Sequence, residues 1–113
     1  MRTIVAGSRN GVSINDVEVA FDTAPFIVTT VLCGMARGAD LCGRYVAILR
    51  GLHVEEYPAD WSKYGKSAGF RRNAEMADKA EALIAVWDGV SRGTKHMIDL
   101  AEDKGLLVHI HRV

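Results

Sequence analysis

The sequence predicts an α/β domain with a mainly parallel five-stranded sheet and helices on both of its faces. Three observations carry this. Strand-like apolar runs alternate with helix-like patterns along the whole chain. Two of the runs, Thr3–Ala6 and Ala82–Trp87, are almost wholly apolar, as strands covered on both faces are. They are expected side by side near the sheet centre. Polar, glycine-containing turns collect at the carboxyl ends of strands, whereas the turns at the helix exits, Gly51 and Gly105, carry no such cluster. Open parallel sheets bind ligands beyond the carboxyl ends of their strands, near a switch in strand order.

The elements follow in order. Thr3–Ala6 reads as a short buried strand with Gly7-Ser8-Arg9 at its carboxyl end. Ser13 opens a helix, and Asp16 three residues on makes a weak capping-box analogue. Val17, Ala20 and Phe21 form the apolar face of that helix. Pro25 closes the connection, and the continuous run Phe26–Cys33 has the pattern of a central parallel strand. A helix over about Ala39–Arg50 ends at Gly51, the C′ residue. Leu52–Tyr57 is a third strand, and Pro58–Lys66 is the longest irregular segment. Ala68–Lys79 is a helix, Ala82–Trp87 the fourth strand, Arg92–Asp103 the fourth helix, and Leu106–His111 the last strand. His109 and His111 share one face of it and are expected exposed at a sheet edge.

Length and composition set limits. A chain of 113 residues suits one domain, 1–113, and 49% hydrophobic residues suffice for one compact core. The formal net charge is zero, so neither general nucleic-acid binding nor attraction to an anionic membrane is expected, and any positive potential must be local. No apolar run approaches the ~20 residues that span a bilayer. Cys33 and Cys42 make neither a disulfide framework nor a zinc spacing; both are expected reduced and buried, which suits a cytoplasmic protein. The four histidines form no metal set, and no resident cofactor is expected.

The stretch Ala85–His96 carries the clearest chemistry. It passes from a strand through Asp88-Gly89 into a helix. Gly89 and Gly93 permit backbone that a Cβ penalises. Ser91 or Thr94 suits a helix cap. The first turn of the helix has unpaired N–H groups and a partial positive charge, so the local reading is a phosphate or carboxylate cradle. An ordinary Asp-Gly turn with a helix cap is the alternative. The glycine spacing is not that of a Walker A loop. Gly34-Met-Ala-Arg-Gly-Ala-Asp40 reads as a second backbone cradle around Gly34 and Gly38. There Arg37 would reach a phosphate, and Asp40 would orient it or accept from a ribose hydroxyl. The alternative pairs Arg37 with Asp40 across one helical turn. Of the adjacent Arg71 and Arg72, one faces the site while the other faces water, and Asn73 follows. Trp61 and Tyr64 would stack on a base or pack the loop against the domain.

Four segments occur in order: Gly7-Ser8-Arg9; Gly34–Asp40; Ala59–Met76, with Arg72 and Asn73; and Trp87-Asp-Gly-Val-Ser-Arg-Gly-Thr94. Together they resemble the YspA/YpsA-related, DUF2493-like branch of the SLOG superfamily, over essentially the whole chain. The resemblance implies a Rossmann-like three-layer domain of bacterial or phage origin that binds a nucleotide or nucleotide-derived small ligand, as a sensor or processor of such a signal. A homodimer or larger is expected from the likeness to LOG-type relatives, which assemble, and from Trp61, Tyr64 and Phe70, which cluster where a monomer would expose them. The ligand-binding residues expected are Gly7, Ser8, Arg9, Gly34, Arg37, Gly38, Asp40, Arg72, Asn73, Asp88, Gly89, Ser91, Gly93 and Thr94. Met35 stands where relatives show a second glycine. More distantly the chain is similar to LOG-type phosphoribohydrolases. Their arginine carries over onto Arg72, but the position of their catalytic glutamate is Met97. A thioether can neither stabilise an oxocarbenium-like centre nor move a proton, so the LOG mechanism is disfavoured. No catalytic residue is assigned. A nucleotide hydrolase using Asp40, Asp88 or His96 is the rival reading.

Overall fold

The computed structural model describes residues 1–113. The elements run β1 (Arg2–Gly7), α1 (Ile14–Thr23), β2 (Thr30–Cys33), α2 (Ala39–Leu49), β3 (His53–Glu56), α3 (Trp61–Tyr64), α4 (Ala68–Lys79), β4 (Ala82–Trp87), α5 (Arg92–Asp103) and β5 (Leu107–Arg112). The five strands form one sheet in the order β3-β2-β1-β4-β5. Every pairing is parallel, and Val5 lies opposite both Cys33 and Ile84. The first and fourth strands are neighbours, as their apolar sequences require. The order reverses at β1, so β1 and β4 open the crevice where such sheets take ligands.

The core has two halves, one on each face of the sheet. Ile4, Leu32, Leu83 and Ala85 meet Met76 and Ala77 of α4 and Met97, Ile98 and Ala101 of α5. Val5, Val31, Ile84 and Val86 meet Val17, Ala20 and Phe21 of α1 and Val46 and Ala47 of α2. Alternate residues of each strand point to opposite faces, so strands clad by helices on both sides must be apolar at successive positions. The result is a three-layer, Rossmann-like α/β arrangement. No helix is long and apolar enough to cross a membrane.

Several local expectations need correction. The apolar run Phe26–Cys33 is a strand only from Thr30 onward. Upstream of that point the neighbouring strand has ended. Ile27 and Thr29 instead bond to Met1, through its amino group at 2.7 Å and its carbonyl at 3.0 Å. Ile27 is left exposed. The segment expected to be irregular contains the helical turn α3, capped by Asp60, whose carboxylate accepts from the Lys63 N–H at 3.1 Å. Asp60 three residues before Lys63 is the local signal for that cap. His109 and His111 do lie on an edge strand, but they are half-buried against α1. His109 Nε2 is 2.9 Å from the Thr23 hydroxyl, and His111 Nε2 is 3.6 Å from Asp16. Cys33 is buried, whereas Cys42 is only half-buried; neither is bonded to the other.

Candidate functional site

A cavity of about 440 Å³ opens beyond the carboxyl ends of β1 and β4. Gly7, Arg9 and Asn10 form its β1 wall, and Asp88 with Ser91 to Thr94 forms its α5 wall. Arg72, Asn73, Gly69 and Phe70 come from α4, Asp40 from α2, and Trp61 and Lys66 from the segment before α4; Met76 and Met97 lie at its apolar base. A second cavity of about 340 Å³ adjoins it, and Arg9, Ala36, Trp61 and Arg72 border both.

The floor is built by close backbone approach. A Cβ on Gly7 would stand 1.9 Å from the Val86 carbonyl oxygen, so only glycine lets β1 run this near β4. Ser8 is the hub behind it. Its N–H donates to the Val86 carbonyl at 2.9 Å, its hydroxyl accepts from the Asp88 N–H at 2.9 Å, and its carbonyl accepts from the Ala39 N–H at 3.0 Å. Ser8 is itself buried and does not line the cavity. Gly38 has φ +81°, and its missing Cβ leaves room for the backbone of Ser8 and Arg9.

The Asp88 carboxylate organises the next turn. It accepts from the N–H groups of Ser91 and Val90, both at 2.8 Å, and from the Ser91 hydroxyl at 3.1 Å. These donors, Ser91 first, hold its pKa below the usual carboxylate range. Ser91 stands at the N-cap of α5, but its hydroxyl points to Asp88 and Ser8 and does not cap the helix. The first bond of the helix is Lys95 N–H to the Ser91 carbonyl, so the first-turn N–H groups before it have no cap. Gly93 lies within the helix with no positive φ, and a Cβ there would meet no protein atom; the expectation of special backbone at Gly93 is corrected. Thr94 is 5% exposed, yet its hydroxyl makes no hydrogen bond within the protein. No wholly buried side-chain oxygen lacks a partner, so this hydroxyl opens to the cavity.

The segment Gly34–Asp40 differs from a second cradle. Two of its donors are already used: the Ala36 N–H by Asp40 at 3.2 Å and the Ala39 N–H by the Ser8 carbonyl at 3.0 Å. Met35 has φ +65°, the left-handed region in which a glycine is at ease. Arg37 is exposed, forms no ion pair with Asp40, and borders only the second cavity, as does Gly34. Gly89 lies away from both, beneath Arg112, whose guanidinium reaches the Asp88 carbonyl at 3.4 Å.

Arg72 is half-buried. It donates to the Gly34 carbonyl and, through Nε, to Asn73 Oδ1 at 3.0 Å. Arg71 faces away, 4.5 Å from the Tyr64 ring. Tyr64 therefore packs with cations outside the cavity, while Trp61 lines it. Asn73 Nδ2 is 3.4 Å from His96 Nδ1, and the His96 ring lies 4.3 Å from that of Phe70. Burial pushes the Asp40 carboxyl up to about 6 against the pull of Arg72, the Ala36 N–H and Arg9.

The charges are segregated. Arg2, Arg44, Arg50, Lys79, Lys95 and Lys104 are spent in salt bridges elsewhere. Arg9, Lys66, Arg72 and Arg92 face the cavity and have none, against only Asp40 and Asp88 on the acidic side. A chain with no net charge thus has a cavity suited to an anion.

Nine of the fourteen expected residues line the first cavity: Gly7, Arg9, Asp40, Arg72, Asn73, Asp88, Ser91, Gly93 and Thr94. Asn10, Phe70 and Arg92 were missed. Their signal was position alone: Asn10 follows Arg9, and Phe70 and Arg92 begin helices at the same end of the sheet. Comparison of the chain with family models, curated proteins and solved structures returns no match.

Proposed function

We propose that this protein is a SLOG-type module that binds a nucleotide or nucleotide-derived ligand, with an anionic group of the ligand at the N-terminus of α5. The observation that carries this reading is the Thr94 hydroxyl. It is held in a nearly buried residue, free of any protein partner, among uncapped N–H groups at the positive end of a helix. The four unpaired cations around the cavity supply the remaining attraction. Trp61 and Phe70 supply apolar rings for a base. A cavity of about 440 Å³ falls within the roughly 300–1,000 Å³ of small-molecule sites. Mass spectrometry of small molecules released from the purified protein tests the reading. A nucleotide species is expected; a protein that carries none and binds none in calorimetry refutes it.

A nucleotide hydrolase is the second reading, favoured by Asp40, a carboxyl that faces the cavity and titrates near neutrality. Asp88 supports it less, because both its oxygens already accept hydrogen bonds, and His96 sits behind Asn73 and Phe70. Met97, which stands where LOG-type enzymes have their glutamate, belongs to the core and the cavity base. Turnover of nucleoside monophosphates or ADP-ribose-like compounds separates the two readings.

A further inference from the structure

Asp40 begins α2 beyond the carboxyl end of β2 and is 7% exposed. Its Oδ2 accepts from the Ala36 N–H, and its Oδ1 takes part in no hydrogen bond within the protein. No wholly buried side-chain oxygen lacks a partner, so Oδ1 is open, and Asp40 borders the first cavity. The nearest guanidinium leaves that oxygen alone, since Arg72 donates to Gly34 and Asn73. Oδ1 is therefore the one oxygen of this otherwise buried carboxyl left for a ligand donor.

The order of the strands decides which part of a ligand arrives there. Along the carboxyl edge the order is β3, β2, β1, β4. The uncapped start of α5 follows β4, Asp40 follows β2, and Trp61, half-exposed, follows β3. Neighbouring strands lie roughly 4.8 Å apart, so the ends of β4 and β2 are about 10 Å apart. A nucleotide laid along this edge meets anion donors first, then a carboxylate, then an aromatic ring. That is the covalent order of phosphate, sugar and base.

We propose that Asp40 determines specificity for the sugar: its Oδ1 accepts from the 2′- and 3′-hydroxyls of a ribonucleotide whose phosphate lies at α5 and whose base lies against Trp61. This assignment rests on the nucleotide reading above. It narrows the ligand class to compounds with a free ribose diol, and it gives Asp40 a role that a purely structural carboxyl would not have.

Calorimetry with the four common ribonucleoside 5′-monophosphates and their 2′,3′-dideoxy counterparts tests it. The wild-type protein is expected to bind the dideoxy compounds roughly ten- to a hundredfold more weakly. In Asp40→Ala, checked for folding by circular dichroism, the ratio of the two affinities falls to about one; in Asp40→Asn, whose amide oxygen still accepts but carries no charge, it falls part of the way. The ratio is the readout, because removing a negative charge from the cavity shifts the affinities of both anionic ligands together. If the Ala variant fails to fold, the reduced ratio expected of the isosteric Asn variant serves, and the wild-type ratio needs no variant. Equal affinities in the wild type, or a preference that survives in both variants, overturns the assignment to Asp40 while leaving nucleotide binding intact. No binding of any of these compounds overturns both.

Discussion

Gly7 faces the Val86 carbonyl oxygen at a distance that no side chain tolerates. A methyl group there must push β1, the central strand, away from its neighbour β4, and the two form the floor of the cavity. Gly7→Ala is therefore expected to cost at least about 1–3 kcal/mol in urea unfolding, the usual range for overpacking a tight core. An unchanged midpoint would contradict the close approach. Asp40 makes a second residue-scale prediction. Its folded pKa, about 6, stands above the model-compound value of 3.8 because burial penalises the charged form. Its contribution to stability is thus fully present below pH ~4 and is lost as pH rises through about 6. Asp40→Asn removes that charge, so the variant should gain on the wild type by roughly 2–3 kcal/mol above pH 7 and by little at pH 4. Parallel denaturation curves over this range check the sign; a gap that widens toward acid would refute it.

At the scale of elements, α2 and α5, two of the helices that begin beside the cavity, differ in what they leave free. The start of α2 is tied down by Ser8, Asp40 and Gly38 backbone contacts, whereas the start of α5 leaves its first-turn donors to the cavity. Thr94→Ala is expected to weaken the co-purifying ligand roughly ten- to a hundredfold with folding intact, as calorimetry would read. Arg72→Ala should weaken binding too, but it also frees the Gly34 carbonyl and Asn73, so its thermal midpoint should fall as well. Unaltered affinity in both variants would move the site elsewhere. At the other end of the molecule, α1 depends on its capping box: Ser13 Oγ accepts from the Asp16 N–H at 3.1 Å, and Asp16 accepts from the Ser13 N–H at 3.0 Å. Ser13→Ala should cost about 1 kcal/mol near neutral pH. The Asp16 pKa is lowered, chiefly by the Ser13 N–H, which the variant keeps, and to a lesser degree by the Ser13 hydroxyl, which it loses; the Asp16 stabilisation is present above pH ~4 and lost on acidification, so the variant's deficit should shrink there only slightly.

For the whole molecule, ligand binding should appear as added stability. A ligand that binds only the folded state adds about 2.7 kcal/mol at a hundred times its Kd, and the midpoint should rise with ligand concentration. Assembly is the other question at this scale. Leu41, Tyr45, Ile48 and Leu49 form an exposed apolar stripe along α2, remote in character from the charged cavity wall. We propose a homodimer or larger, and light scattering at micromolar protein should give at least twice the 12.3 kDa chain mass. A monomeric mass refutes the proposal. Trp61 and Phe70 are exposed for another reason: they border the cavity.

The sequence by itself determined the class of fold, the five strands, four of the helices and the end of the sheet where polar turns gather. These depend on local patterning, because a buried strand must be apolar at successive positions and a helix must show one apolar face. It also marked nine residues that the fold brings around one cavity: seven lie at or beyond strand ends, where chain order and alternation place them, and Arg72 and Asn73 lie in the basic run that α4 carries. Tertiary structure decided the rest. Phe26–Thr29 is apolar enough for a strand, but a strand exists only where a neighbour supplies a ladder. Gly34 to Asp40 looked as rich in backbone donors as Ser91 to Thr94. Only packing showed that Ser8 and Asp40 consume donors of the first segment, while Asp88 draws the Ser91 hydroxyl away from the helix and leaves the second uncapped. Which donors and acceptors stay idle depends on contacts between residues distant in sequence, and no periodicity records those.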